Sequence, residues 1–285
     1  MPFYHRMGTI PPKRHTQFHK PDGGLYREQV MGTKGFSGIQ SILYHHHAPT
    51  EVVKVQLLSS CEPEYEGRGA LSHRHFRTNG IKEAGDAVSG RQYLLGNEDL
   101  MIGIVKPAEA MNYFYRNADG DEPLFVHEGT GKLETMFGTL SYRPGDYIVL
   151  PVGTIYRLVS EAGKSKLLVL ETNSWITPPK RYRNEYGQSL EHSPYCERDI
   201  RVPEKLETFT DIGEFEVRTR KGGMIHSHTL GHHPLDVAGW DGYLYPWIFN
   251  IEDFEPITGR VHMPPRFIRH SKETTLWCVR FAPGF

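Results

Sequence analysis

The chain has 285 residues, 38% hydrophobic and 24% charged, enough for one large or two ordinary domains with a sizeable buried core. Its 33 basic and 34 acidic side chains leave a formal net charge of -1, which lacks the basic field that nonspecific nucleic-acid binding needs, so no nucleic-acid partner is expected. No stretch approaches the apolar length that spans a bilayer, and the opening MPFYHRMGTIPPKRHTQFHKPDGG is too polar for a secretory signal, so no membrane partner and a cytoplasmic location are expected.

In chain order, residues 1–40 carry turn signals and few apolar clusters, and are predicted to form an extended arm across the surface or a neighbouring subunit. Short alternating or β-branched runs then recur between Gly, Pro, Asn and Asp punctuation, predicting strands at 51–58, 100–105, 112–115, 124–127, 133–135, 139–142, 147–150, 155–159 and 167–171. Sequential strands joined by short polar turns imply antiparallel pairing in a sandwich or barrel. A Pro-rich, charged junction around 177–203 precedes further strands at 215–218, 245–250, 260–262 and 275–281. The division this suggests is 1–190 for the arm and first β unit and 191–285 for the start of a second. The basic runs at Lys180, Arg181 and Arg183 and at Arg218, Arg220 and Lys221 read as solvated faces or subunit contacts, since neither precedes a helix N-terminus. Cys61, Cys196 and Cys278 lie too far apart in sequence for a Cys-x-x-Cys zinc site, and no disulfide framework is expected.

The most informative stretch is 121–159, DEPLFVHEGTGKLETMFGTLSYRPGDYIVLPVGTIYRLV. Its glycines permit the turns between facing strands, and Pro144-Gly145-Asp146 sets a tight hairpin corner. The Glu-x-x-Phe-Val-x-Glu-Gly-x-Gly, Pro-Gly-Asp and Pro-x-Gly-x-x-Tyr pattern resembles the paired signatures of the cupin family. That resemblance implies an all-β, cupin-like jelly-roll or β-sandwich. In metal-binding members a His-x-His, a Glu and a later His converge inside the barrel. Here Tyr115 and Asn117 stand at the His-x-His positions and Tyr156 at the later one, leaving Glu122 alone. One carboxylate is too few for a two-His-one-carboxylate iron site, so the resemblance implies a degenerate barrel that keeps the fold without the metal. His127 and Glu128, beside the motif, read as structural.

The chain holds 16 histidines. His45, His46 and His47 fall in a predicted polar turn with no flanking carboxylate at a useful spacing, and His73 and His75 form a His-x-His in an Arg- and Gly-rich segment. His226, His228, His232 and His233, with Asp236 near, form the densest group. Three imidazoles and a carboxylate suit zinc or iron in principle, but a loop can hold them in many orders, and the expected reading is a structural loop.

From His232 onward the sequence His-His-Pro-Leu-Asp-Val-Ala-Gly-Trp-Asp-Gly, then Leu-Tyr-Pro-Trp-Ile-Phe-Asn-Ile-Glu-Asp-Phe-Glu-Pro-Ile-Thr-Gly-Arg-Val-His-Met-Pro-Pro, resembles the homogentisate 1,2-dioxygenase family. So do Tyr4 to Gly8, Pro11 to Thr16, Tyr44 through Pro49-Thr50, and the degenerate cupin core. The resemblance implies a bicupin-like enzyme with a non-metal first barrel and one Fe(II) in the second. It further implies homogentisate and O2 as substrates, maleylacetoacetate as product, and self-association as a trimer or hexamer. The position matching the family's catalytic histidine is His262, which would align and deprotonate the second hydroxyl. The family's iron ligands, two histidines and a glutamate, lie in stretches with no counterpart before Phe285. The expectation is therefore an incomplete second barrel, no metal ligand, no Fe(II) bound and no ring-opening activity from the isolated 285-residue chain. A non-catalytic cupin-like structural or binding protein is the alternative.

Overall fold

The computed structural model describes residues 3–65, 73–161, 163–184, 188–254 and the backbone of 269–270. In chain order the strands are β1 (His5–Gly8), β2 (Arg27–Lys34), β3 (Ser37–His45), β4 (Val52–Ser60), β5 (Gln92–Gly96), β6 (Leu100–Val105) and β7 (Phe114–Asn117). Then come β8 (Glu122–Glu128), β9 (Gly131–Thr135), β10 (Gly138–Tyr142), β11 (Asp146–Leu150), β12 (Tyr156–Ser160) and β13 (Lys166–Thr172). The last are β14 (Ile176–Thr177), β15 (Ile200–Arg201), β16 (Ile212–Lys221), β17 (Met224–His232), β18 (Val237–Gly242), β19 (Trp247–Asn250) and β20 (Arg269–His270). Helix among the described residues is confined to short 3-10 turns. The all-β class read from the sequence is what the chain adopts.

From β6 to β13 the chain switches between two sheets, giving the neighbour order β11-β8-β13-β6 in one and β10-β9-β12-β7 in the other. That is the double-sheet order of an eight-stranded jelly roll. Both sheets run on past the eight. β16, parallel to β7, continues one into β17 and β4; β19 and β15 prolong the other beyond β11, with β5 at its far edge. The sheets therefore stay open and face each other as a sandwich, in keeping with the expected jelly-roll or β-sandwich, and do not close into a barrel. Residues 212–250, part of the 191–285 stretch expected to begin a second unit, are distributed over these sheets and a third, four-stranded sheet of order β1-β18-β3-β2.

Strand alternation explains how one run of sequence serves two cores. Tyr113, Tyr115, Ile148, Leu150 and Ile248 point into the sandwich with Leu124, Leu133, Leu158 and Val169. Their neighbours Phe114, Val149, Trp247 and Phe249 point outward into a second core with Leu43, Phe137, Val237, Trp240 and Tyr245. Strands covered on both faces read as unbroken apolar runs, hence Tyr-Pro-Trp-Ile-Phe at 245–249. Trp240 is fully buried, with its ring edge-on to Phe137 at 5.1 Å and its indole N–H donated to the Phe137 carbonyl at 2.8 Å.

Two expectations are corrected here. The N-terminal forty residues are not a bare arm: β1 pairs with β18, from His5 opposite Gly242 to Gly8 opposite Gly239, and Tyr245 donates its hydroxyl to the Phe3 carbonyl. The partners of β1 and of Phe3 come from more than 230 residues away, so no local pattern announces them. The histidine-rich stretch at 224–232 is a strand and not a loop, because Gly222 and Gly223, both at positive φ, close a hairpin that pairs it with β16 and then β4.

Candidate functional site

Inside the sandwich, the positions that the cupin signatures mark do converge, around an arginine. Arg91 is buried, with its side chain 2% exposed, and grips Glu122 two-pronged: Nη2 donates to Oε1 at 2.8 Å and Nη1 to Oε2 at 2.9 Å. Nη1 also donates to Glu171 Oε1 at 2.5 Å and Nη2 to the Tyr156 hydroxyl at 3.1 Å, while Tyr156 donates its own proton to Glu122. Asn117 Nδ2 reaches Glu122 Oε2 at 3.4 Å, and the Arg91 guanidinium lies 5.3 Å from the centre of the Tyr115 ring. Tyr93 donates to Glu171 Oε1 at 2.8 Å, and Arg220 pairs with its other oxygen.

This geometry settles whether a cation belongs among the signature positions. Arg91 and Arg220 balance Glu122 and Glu171, so the buried set is already neutral. A divalent ion added beside Arg91 would place two uncompensated charges in a low-dielectric interior. Among the described residues, the signature positions around Glu122 do not fit a metal. Burial works against the charge of Glu122, but the Arg91 guanidinium holds its carboxyl below the usual carboxylate range. Burial, then the Glu122 charge, pushes the Tyr156 phenol well up, which keeps it a donor. Arg91 and Glu171 belong to no sequence motif. Arg220 sits in β16 with its side chain only 11% exposed, so the solvated face expected at Arg218 to Lys221 is corrected for that residue. Asn117, Glu171 and Arg220 also line a cavity of about 600 Å³ that opens past Glu62, Tyr65 and Met101.

A second constellation forms between the third sheet and the sandwich. Asp236 is fully buried just before β18. It accepts the main-chain N–H of His47 at 2.7 Å, and His45 Nδ1 lies 2.7 Å from Oδ1. His45 Nε2 pairs with the Gln29 side-chain oxygen at 2.9 Å. His47 Nδ1 lies 3.2 Å and His232 Nδ1 3.8 Å from Asp236 Oδ2, and the two rings stack with centroids 4.7 Å apart. Burial opposes the Asp236 charge, yet its bond with His45 and the surrounding imidazoles hold its carboxyl below the usual range. The carboxylate missing from the neighbourhood of His45 to His47 in sequence is thus supplied from 189 residues away.

The remaining histidines separate. His233 is caged by Phe114, Phe209 and Phe215, with Nδ1 accepting the Leu235 N–H at 3.1 Å, and burial pushes its titration down. It does not join His232. His226 and His228 lie along β17, with ring centroids 6.4 Å apart, outside the Asp236 cluster. His73 and His75 are exposed, as are His127 and Glu128, which sit 3.7 Å apart. His262 and Cys278 lie outside the described residues; Cys61 and Cys196 are free thiols. No helix among the described residues is long and apolar enough to cross a membrane.

Comparison with known proteins gives a family match, to the N-terminal domain of homogentisate 1,2-dioxygenase, over residues 83–251. A candidate dioxygenase of Saccharolobus solfataricus is 40% identical over 267 residues, which cover 93% of this chain and 68% of that protein. The homogentisate 1,2-dioxygenase of Bradyrhizobium diazoefficiens is 29% identical over 150 residues, 51% of this chain and 31% of that protein. Among solved structures, a cupin-2 domain protein from Shewanella frigidimarina matches 29% of this chain and 78% of its own at 21% identity, with a TM-score of 0.26. The jelly-roll assignment rests on strand order alone. With the matched residues making up more than half of its length, the chain belongs to the homogentisate 1,2-dioxygenase N-terminal family.

Proposed function

We propose that this chain belongs to an Fe(II)-dependent ring-cleaving dioxygenase that converts homogentisate and O2 to maleylacetoacetate, and that its jelly roll serves as the scaffold. The observation that carries the reading is the Arg91 network. It occupies the signature positions with a charge-balanced set in which Arg91 grips Glu122 two-pronged, so on this reading the jelly roll frames the enzyme and does not hold its iron. Fe(II), when bound elsewhere in the enzyme, supplies open coordination positions at which an electron-rich ring and O2 are brought together. On this reading His262 is the base that takes the proton of the second ring hydroxyl, and the protein works in the cytoplasm as a trimer or hexamer. Family membership and the two relatives support the reading.

The test uses the polypeptide expressed from its own gene, loaded anaerobically with Fe(II) and given homogentisate. Oxygen uptake matched by ring-opened product is expected, with an iron content that Glu122→Gln leaves unchanged. Absence of uptake would favour a non-catalytic binding or structural protein. Loss of iron in the Glu122 variant would remove the scaffold assignment.

A further inference from the structure

The Asp236 cluster carries more than the family reading asks of it. One ligand atom each from His47, His232 and Asp236 lie within 4.8 Å of one another. The separation of His47 Nδ1 from Asp236 Oδ2, 3.2 Å, is close to the roughly 3.3 Å expected between ligands of a tetrahedral ion whose bonds are about 2.0–2.1 Å long. Donor type agrees as well: two imidazoles with one carboxylate suit late first-row divalent ions.

The carboxylate is also held in place before any ion arrives. The main-chain N–H of His47 and the ring of His45 fix both oxygens, and Gln29 fixes His45 in turn. Ligating groups in metal proteins are oriented by outer partners of this kind. His232 adds an independent observation. Its side chain is 3% exposed, Nδ1 donates to the His233 carbonyl at 3.1 Å, and Nε2 has no hydrogen-bond partner among the described residues. A buried ring nitrogen without a partner costs free energy unless something else occupies its lone pair. His47, with a quarter of its side chain exposed, leaves the cluster accessible from solvent.

We infer that His47, His232 and Asp236 bind one late first-row divalent cation, with His45 as the positioning residue for the carboxylate. The ion would tie the end of β3 to β17 and to the start of β18. This site is separate from the signature positions around Glu122 and does not rest on the ring-cleavage reading.

Zn(II) and Co(II) are the probes, titrated into the chelator-stripped 285-residue chain. One Zn(II) per chain is expected, with a thermal midpoint that rises with free Zn(II) as mass action requires and visible Co(II) bands from an N/O site. His47→Ala and His232→Ala should each weaken binding by about a hundredfold or more and abolish the thermal response, and His45→Gln by about tenfold, in line with loss of an outer partner. His226→Ala should bind as the unaltered chain does. If His232→Ala does not fold, His47→Ala, at a partly exposed position, decides. Retention of Zn(II) by His47→Ala, equal loss in His226→Ala, or no stoichiometric ion in the unaltered chain would each overturn the inference.

Discussion

The guanidinium of Arg91 and the carboxylate of Glu122 meet through paired hydrogen bonds of 2.8 and 2.9 Å, with side chains 2% and 1% exposed. Such a pair gains stability only while both partners are present, because either charge left alone in the interior is costly.

Arg91→Met should therefore destabilise the chain by about 3–5 kcal/mol, seen as a lower denaturant midpoint. The double variant Arg91→Met/Glu122→Gln should recover part of that loss. A double variant no more stable than Arg91→Met alone would show that Glu171, also bonded to Arg91, is the partner that matters.

Asp121 gives a pH dependence of opposite sign to that of ordinary paired carboxylates. Burial pushes its carboxyl up to about 7, against hydrogen bonds from the Ile176 and Val152 main-chain N–H groups that favour the charge. In the unfolded chain it ionises near pH 4. Between about pH 4 and 7 the folded state holds a proton that the unfolded state has released, so stability falls as pH rises through that window, by a few kcal/mol in total. Urea unfolding across the window should show this slope, and Asp121→Asn should lack it. Parallel profiles for the two proteins would mean that Asp121 is ionised throughout.

Gly129 stands at φ 92°, and a Cβ there would come within 2.6 Å of the Lys164 carbonyl oxygen. Gly129→Ala should cost about 1–3 kcal/mol through left-handed strain and this clash. A thermal midpoint unchanged from the parent would show that the β8–β9 turn can shift.

Trp240→Ala should cost about 3–5 kcal/mol, since it empties a fully buried position and orphans the Phe137 carbonyl. Trp240→Phe, which keeps a ring against Phe137, should cost less. Equal losses in the two would assign the effect to the hydrogen bond alone.

What the sequence discloses follows from the range of the interactions. The jelly-roll strands alternate locally, so the predicted runs at 100–105, 124–127, 147–150 and 167–171 fall on β6, β8, β11 and β13. Pro144-Gly145-Asp146 is local too: Gly145 has φ 87°, and Asp146 caps the Arg143 N–H at 2.7 Å. The signature positions were legible as a set, with Tyr115, Asn117, Glu122 and Tyr156 gathered as expected. Arg91 was not, because it reaches Glu122 across 31 positions from a segment without a motif. His47 and His232 each stood out as one of many histidines, and only the fold brings both to one carboxylate. The sequence groups His232 with His226, His228 and His233 near Asp236, and of these the aromatic cage removes His233.

The pairing of β1 with β18 has a consequence for biosynthesis. His5 through Gly8 leave the ribosome well before their partners at Gly239 through Gly242, which are made more than two hundred codons later. β1 cannot pair until β18 has been made, and His5 then packs against Trp240 and Tyr245. A substitution in β1 that blocks this pairing would leave the outer aromatic core around Trp240 and Tyr245 without its covering strand.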